Sequence, residues 1–507
     1  MILINLRMSD KLHSISISYF KLNIVRIILF LFFSLPFLLK AQPTELNLLG
    51  TWSDPSLPLT NAWASTYNEI WGLVVNDHEI AVIGSTLGTH FIDVTDPTNP
   101  IELTDAFVQG ATFGPALVHR DFHDYRGFLY VVADEDNNST LQIVDIRNLP
   151  ESTTVVSDNN DLLIRSHNVF VDSTQARLYA CGIRRSTGRD AMSIYDISDP
   201  VNPVELGIYN NVGNVEIPNV HDIFVRDHIA YINIGNNGFL VVDFTDPDDP
   251  VLVGSMTDYL QAGFNHSGWL DHQGHYYFLA DENHGLDLKV VDVCEGDNIE
   301  VVQTFGTGTD FQGSIPHNVL IDCNILYASW YYEGVQIFDI SDPINPVRIG
   351  FYDTFDGPDV NSFAGNWGVY PYLPSGNILA SDMQNGLFIL ENIVTPDCDA
   401  YQATSCENAV AVAEVYQPVK ALKIYPQPVA DQLTIDFSLT EPTANLNLSL
   451  TDLSGRKVMA WNDLAVFTGE NKFNLDIPNS LNNGFYIMVI ENEDDTVRIT
   501  RKVVIHR

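Results

Sequence analysis

Short runs of alternating apolar and polar residues, each closed by an aspartate and an Asp-Pro step, recur along most of the chain. The segments are Phe91-Ile-Asp-Val-Thr-Asp-Pro-Thr-Asn-Pro100, Ile194-Tyr-Asp-Ile-Ser-Asp-Pro-Val-Asn-Pro203, Val241-Val-Asp-Phe-Thr-Asp-Pro-Asp-Asp-Pro250 and Ile337-Phe-Asp-Ile-Ser-Asp-Pro-Ile-Asn-Pro346. Alternation with period two predicts a β-strand, and Asp-Pro predicts a turn, because proline presets φ and the aspartate side chain caps free amides. The strand-ending acids Asp93, Asp145, Asp196, Asp243, Asp292, Asp339 and Glu391 lie 47 to 52 positions apart. A second landmark, Trp71, His119, His167, His221, His266, His317 and Trp367, recurs 45 to 54 positions apart, each time just ahead of an apolar run. A four-stranded blade with short turns needs about 40 to 50 residues, so seven such periods predict a seven-bladed β-propeller over residues 44–395.

The rhythm stops after Glu391. Residues 396–420 have little periodicity and are expected to be a linker. From residue 421 short alternating strands return, including Leu433-Thr-Ile-Asp-Phe437, Leu446-Asn-Leu-Ser-Leu450 and Phe485-Tyr-Ile-Met-Val-Ile490. They predict a small Ig-like β-sandwich over residues 421–507, which makes the whole protein all-β.

Composition narrows the function. The formal net charge of −40 excludes nucleic acid as a partner, since a phosphate backbone needs a basic face. Near the N-terminus Lys21 and Arg26 precede the uncharged residues 27–39 and then Lys40-Ala41-Gln42-Pro43. Thirteen apolar-rich positions are too few to cross a bilayer but suit a signal peptide. Residues 1–41 are therefore expected to be cleaved during export, leaving no transmembrane helix. Five cysteines in an exported chain leave one unpaired. Cys398 and Cys406 flank a short loop and can close on each other; Cys294 and Cys323 are a further candidate pair. Cys181, inside Leu178-Tyr-Ala-Cys-Gly182, is expected as a buried strand thiol.

The C-terminal segment resembles the sorting domain of the bacterial type IX secretion system. The matching residues are Ile424-Tyr-Pro-Gln-Pro428 with Leu433 and Ile435, the Leu453-Ser-Gly-Arg456 turn, Gly484-Phe-Tyr486 and Lys502-Val-Val-Ile505. The repeats resemble the choice-of-anchor B family of LVIVD-repeat propellers. The likeness rests on Leu141-Gln-Ile-Val-Asp145, Asn265-His-Ser-Gly-Trp-Leu270, His317-Asn-Val319 and Gly365-Asn-Trp-Gly-Val-Tyr-Pro-Tyr-Leu-Pro-Ser-Gly376. These resemblances imply secretion and outer-membrane sorting machinery as partners through residues 421–507, and an extracellular or outer-membrane-surface location. They imply no reaction, and the extracellular ligand stays open.

In a propeller the innermost strand of each blade lines the axis, so Trp71, His119, His167, His221, His266, His317 and Trp367 are expected as one ring. Three readings stand side by side. The imidazoles staple neighbouring blades, with Asn168, Asp222 and Asn318 as partners; or they and the indoles form a small-ligand pocket; or His167, His221, His266 and His317 hold a divalent metal ion. Asp134 and Asp136, in Asp134-Glu-Asp-Asn-Asn138 followed by Asp145, have oxygens at spacings like those of a calcium loop, but Ser139 stands where the bend needs glycine. Asp281-Glu-Asn-His284 is the corresponding loop of another blade. The strand aspartates are expected to fasten turns. No G-x-S-x-G elbow, P-loop or H-E-x-x-H helix occurs, which weighs against the common hydrolase classes and says nothing of propeller enzymes, whose sites are assembled from several blades. The expected function is a binding or scaffold module, surface-attached or released. The alternatives are an extracellular, metal-assisted enzyme using the axial ring, and an adhesin.

Overall fold

The structure, a computed structural model, describes residues 42–402 apart from 295, 297, 310–312 and 359–361. In the C-terminal part it describes residues 419–426, 429–439, 445–451, 457–478, 481, 484–492 and 498–505. The expected signal peptide, residues 1–41, lies outside the described residues, as does most of the expected linker. The chain divides into two compact units, broadly the residues through Ala403 and those from Thr404 onward.

The first unit is a seven-bladed propeller. Its innermost strands are Tyr67–Val75, Arg120–Tyr125, Asn168–Asp172, Asp222–Arg226, Asn265–Leu270, Ile315–Asp322 and Asn366–Tyr370, in blades one to seven. Each opens an antiparallel sheet that runs outward in sequence order. Burial follows this order. In blade two, Phe128–Ala133 is buried throughout, whereas the outer strand Thr154–Asn159 is mostly exposed. Apolar clusters fill the gaps between blades. Tyr179, Ile194, Ile223, Val242 and Phe244, for example, join blades three and four, and each such side chain contributes about 1.5–3 kcal/mol by leaving water.

Blade seven closes the ring. It takes three strands from the end of the repeats, Asn366–Tyr370, Ile378–Asp382 and Gly386–Leu390, and its outer strand, Leu48–Trp52, from the beginning. Thr44–Glu45 pairs in parallel with Val347–Tyr352 of blade six. Gly72 of blade one is needed at this seam, because a Cβ there would overlap the ring of Tyr370.

The aspartates at the strand ends fasten turns as the sequence predicts. Asp93, Asp145, Asp196, Asp243 and Asp339 each accept the amide two residues ahead through Oδ1, at 2.7–3.1 Å. The aspartate of the following Asp-Pro repeats the device, as in Asp96 to Thr98 and Asp246 to Asp248. Glu391, in the seventh place, instead accepts from Asn47 Nδ2 at 2.8 Å, tying the last repeat to the closing strand.

The cysteines correct both pairings weighed from sequence, since Cys323 is bonded to Cys398. The chain after blade seven folds back over blade six, where the Asp397 amide donates to Asn324 Oδ1 (2.7 Å), and continues to blade five, where Tyr401 donates to Asp271 (2.5 Å). Proximity in sequence to Cys406 gave no sign of that return. Cys294 is also disulfide-bonded, and Cys181 is free and buried, as expected.

The second unit is a β-sandwich. One sheet has the order Val419–Tyr425, Gln432–Leu439, Gly469–Asp476, and the other Lys457–Leu464, Leu446–Thr451, Gly484–Asn492, Arg498–Ile505. Leu433, Ile435, Phe437 and Leu439 from the first meet Leu446, Leu448, Leu450, Met488, Val503 and Ile505 from the second. The Leu453–Arg456 turn and the Gln427-Pro428 pair lie outside the described residues.

Two outcomes are expected. Asp243→Ala removes one turn hydrogen bond and should cost about 1 kcal/mol in denaturant unfolding, with no change in fold by circular dichroism. Burial excludes reagent from the Cys181 thiol and pushes its pKa well up, so native protein should resist maleimide at Cys181 and take up one equivalent on unfolding.

Candidate functional site

The innermost strand presents its edge, not a face, to the axis, so consecutive residues on it reach the channel at successive depths. His119, His167, His221, His266, His317 and Trp367 form one closed ring. Successive ring centroids stand 5.1, 4.0, 4.3, 4.4 and 4.9 Å apart, and Trp367 returns to His119 at 5.3 Å. Six of the seven sequence-predicted ring residues therefore come together.

Trp71 does not join them. Its indole lies against His123 (4.5 Å) and Tyr370 (5.1 Å) and donates to Asp124 Oδ1 (2.9 Å). It belongs to a deeper aromatic layer with Phe170, Phe224 and Trp269. Counting back three residues from that layer reaches His167, His221, His266 and Trp367, but in blade one it reaches Asn68, which donates to Val118 O (2.8 Å). The tryptophan aligned by type is three positions late.

Between the two layers lie Glu69, Asp121 and Asp222, with Asn168 and Asn318. Asn168, Asp222 and Asn318 line this layer beneath the imidazoles. Glu69 Oε2 accepts from Trp367 Nε1 (3.2 Å) and Asn318 Nδ2 (3.1 Å), while Asp121 Oδ2 accepts from the Val169 amide of the next blade (2.6 Å). Burial pushes Glu69 and Asp222 up to about 7. Burial, reinforced by Glu69, pushes Asp121 well above the carboxylate range.

The imidazoles are oriented through Nδ1. His119 donates to Glu135 Oε1 (2.5 Å), His167 to Asp134 Oδ2 (2.8 Å) and His317 to the Trp367 carbonyl (2.5 Å), which leaves each Nε2 outside these bonds. The Nδ1 atoms of His221 and His266 are buried without a hydrogen-bond partner among the described residues. Burial, then neighbouring imidazoles, holds His221 and His266 well below the usual histidine pKa, and burial brings His317 down to about 3. Burial acts on His167 in the same direction, but the Asp134 carboxylate outweighs it and the net shift is upward.

Above the ring sits Glu282. Its carboxylate is 3.8 Å from both His266 Nε2 and His317 Nε2, accepts from Tyr331 (3.3 Å), and is raised by burial to about 7. Donor atoms of His221, His266 and Glu282 all lie within 4.8 Å of one another. Trp63, Phe363 and Tyr331 form an aromatic lip around a cavity of about 70 Å³. Neighbouring Asp281 turns into the core and pairs with Lys289 Nζ at 2.7 Å, both groups fully buried.

The calcium-loop spacing is not realised. Asp134 and Glu135 orient His167 and His119, Asp145 pairs with Arg147 (2.5 Å), and Asp136 sits at an exposed turn where it caps the Asn137 amide. Sequence reasoning missed Glu69, Asp121, Trp63, Tyr331 and Phe363. Glu282 comes from the Asp281-Glu-Asn-His284 loop, whose correspondence to the Asp134 loop was the available signal.

Two family models match the chain. The secretion system C-terminal sorting domain matches residues 423–506, and the LVIVD repeat matches residues 189–211, 219–258 and 323–354, which fall in blades three, four and six. The chain carries LVIVD repeats and a type IX secretion sorting domain. The LVIVD-repeat protein is accordingly exported by type IX secretion to the extracellular or outer-membrane surface. No helix among its described residues is long and apolar enough to cross a membrane. No curated protein sequence matches it. Similar solved structures include PorZ, a surface component of the type IX system of Porphyromonas gingivalis, at 10% identity and TM-score 0.41. The match covers 89% of this chain and 60% of PorZ. The RRP9 WD40 repeats match at 9% identity and TM-score 0.46, over 69% of this chain and 98% of that one. A protein from Lactobacillus plantarum matches at 12% identity and TM-score 0.44, over 81% and 99%.

Glu69 ionises near pH 7 in the fold against an ordinary value of 4.5. Its folded pKa is raised, so its contribution favours the fold at low pH and is lost as pH rises through 7. The protein should therefore lose melting temperature as pH rises from about 4.5 to about 7, and Glu69→Gln should flatten that slope in a thermal-shift series.

Proposed function

We propose that this protein is a type IX-exported binding module whose axial histidine ring holds a divalent transition-metal ion, with His221, His266 and Glu282 as its first ligands and His167 and His317 beside them. The observation that carries the reading is the convergence of buried imidazoles and one carboxylate at the ring. Nδ1 of His119, His167 and His317 is committed to an acceptor, the arrangement that fixes a metal-binding tautomer and aims Nε2. Imidazole with a single carboxylate suits zinc, copper, nickel or iron better than calcium. Bonds of 2.0–2.1 Å in a tetrahedral site separate ligand atoms by about 3.3 Å, so donors already within 4.8 Å need only small rotations.

Size favours a metal over an organic ligand at the axis. A chamber of about 70 Å³ has room for about five waters or a hydrated ion, whereas organic ligands occupy about 300–1,000 Å³. Three protein donors leave a coordination position for water, the feature that favours a metal-assisted enzyme as the second reading.

Elemental analysis of protein purified without chelator, followed by Co²⁺ titration read by visible absorption, tests the site. The expected result is one equivalent per chain, lost in His266→Ala and Glu282→Gln with unchanged circular dichroism and kept in Trp71→Phe and Asp136→Ala. Failure to take up any equivalent, or uptake indifferent to His221→Ala and His266→Ala, would overturn the reading.

A further inference from the structure

Beside the axis, blade three carries three arginines in a row. Arg184 pairs with Arg189 across the hairpin of Arg177–Arg185 and Gly188–Asp196, and Arg165 bridges to Arg184 from the other side. Directly paired residues of antiparallel strands point their side chains to the same face, so the three guanidinium groups share one side of the sheet. Like charges in register repel and lower stability. The chain as a whole has 25 basic against 65 acidic residues, which makes three adjacent cations a departure from its composition.

The adjacent Arg185, which faces the opposite way, shows what this sheet does with an arginine that serves structure. It is ion-paired with Asp190 (3.4 Å) and Glu205 (2.5 Å) and hydrogen-bonded to Ser193 and Tyr195. Arg184 and Arg189 have no carboxylate within ion-pairing distance among the described residues, and Arg165 donates only to the Asp134 carbonyl (3.0 Å). These three arginines line a cavity of about 440 Å³, whose wall also includes His167 and His221 of the ring and two carboxylates already engaged elsewhere, Asp134 on His167 and Asp190 on Arg185. That volume lies within the range of small-molecule sites, unlike any chamber on the axis.

We propose that this cavity binds a small organic polyanion through its carboxylate or phosphate groups. Arg165, Arg184 and Arg189 receive the oxyanions, and the remainder of the ligand is directed towards His167 and His221. Guanidinium forks match oxyanions two bonds at a time, and a bound anion removes the repulsion between the paired arginines. The site does not require the metal. If the ring is loaded, however, the ligand's inner end lies beside it, which would give the module its specificity.

Calorimetric titration of EDTA-treated protein with citrate, tricarballylate and inorganic phosphate separates the possibilities, and stripping the metal keeps this test independent of the ring. Citrate or tricarballylate should bind more tightly than phosphate. Affinity should weaken with added salt and fall about tenfold in Arg184→Gln or Arg189→Gln, with a larger loss in the double variant. Because these variants relieve repulsion, their melting temperature should stay level or rise, so a loss of binding cannot be assigned to misfolding. The proposal is overturned if no probe binds, if phosphate binds as well as the organic acids, or if binding survives in the double variant.

Discussion

Everything at the axis depends on one pairing, that of Leu48–Trp52 against Gly386–Leu390. A propeller is a set of sheets that must be bent into a circle, and the entropic cost of bringing its two ends together is met where the first strand completes the last blade. Several contacts converge there. Asn47 and Glu391 exchange hydrogen bonds in both directions, Gly72 admits Tyr370, and Trp367 of blade seven reaches Glu69 of blade one. The last of these is also the floor of the histidine ring, so the residues that shut the wheel and those that shape its centre overlap. An open arrangement would separate Trp367 from His119 and leave no ring.

The structural and ligand-binding readings of the histidines are not rivals at the level of atoms. An imidazole has two nitrogens, and this fold divides them. In His167 and His317 the Nδ1 atom staples, reaching Asp134 of the preceding blade and the Trp367 carbonyl of the following one, while Nε2 is left facing the axis. Stapling is thereby the means of orientation. Buried carboxylates on both sides of the ring, Glu69, Asp121 and Asp222 below and Glu282 above, give the channel a strongly acidic interior with little basic compensation. Arg120, the buried cation nearby, spends its donors on the carbonyls of Ser85 and Thr112. Burial holds these carboxyls above the ordinary carboxylate range, and a cation at the ring would favour their ionised form, which is otherwise costly to keep out of water.

Much of the fold was legible because the signal was repeated. One Asp-Pro turn is weak, but the same turn at steps of about 50 residues specifies a blade, and the hydrogen bonds of Asp93, Asp196 and Asp243 confirm the role assigned to them. The ring was legible for the same reason, from His119 to Trp367. What failed was information carried by single copies. Trp71 matched by residue type while its blade had replaced the ring position with Asn68, and no local feature marks that substitution. The Cys323–Cys398 bond joins residues 75 positions apart through a chain reversal without a repeat of its own. Glu282, Glu135 and Asp134 occupy loops whose polar composition also suits plain solvation, and only the closed ring turns them inward.

Cavity size then separates two kinds of chemistry that the sequence had placed together at one ring. The axial chambers, about 70, 30 and 70 Å³, are bounded by side chains locked to neighbouring blades. Enlarging any of them to organic dimensions would mean breaking staples around the whole circle. The hairpin of blade three packs into both neighbouring seams, through Tyr179 and Met192 towards blade four and Leu178 and Ile183 towards blade two, but Arg184 and Arg189 near its tip belong to neither apolar cluster. A propeller can therefore vary ligand specificity there without disturbing its hub. This explains why unpaired arginines, in a protein otherwise dominated by carboxylates, occur beside His167 and His221 and not among them.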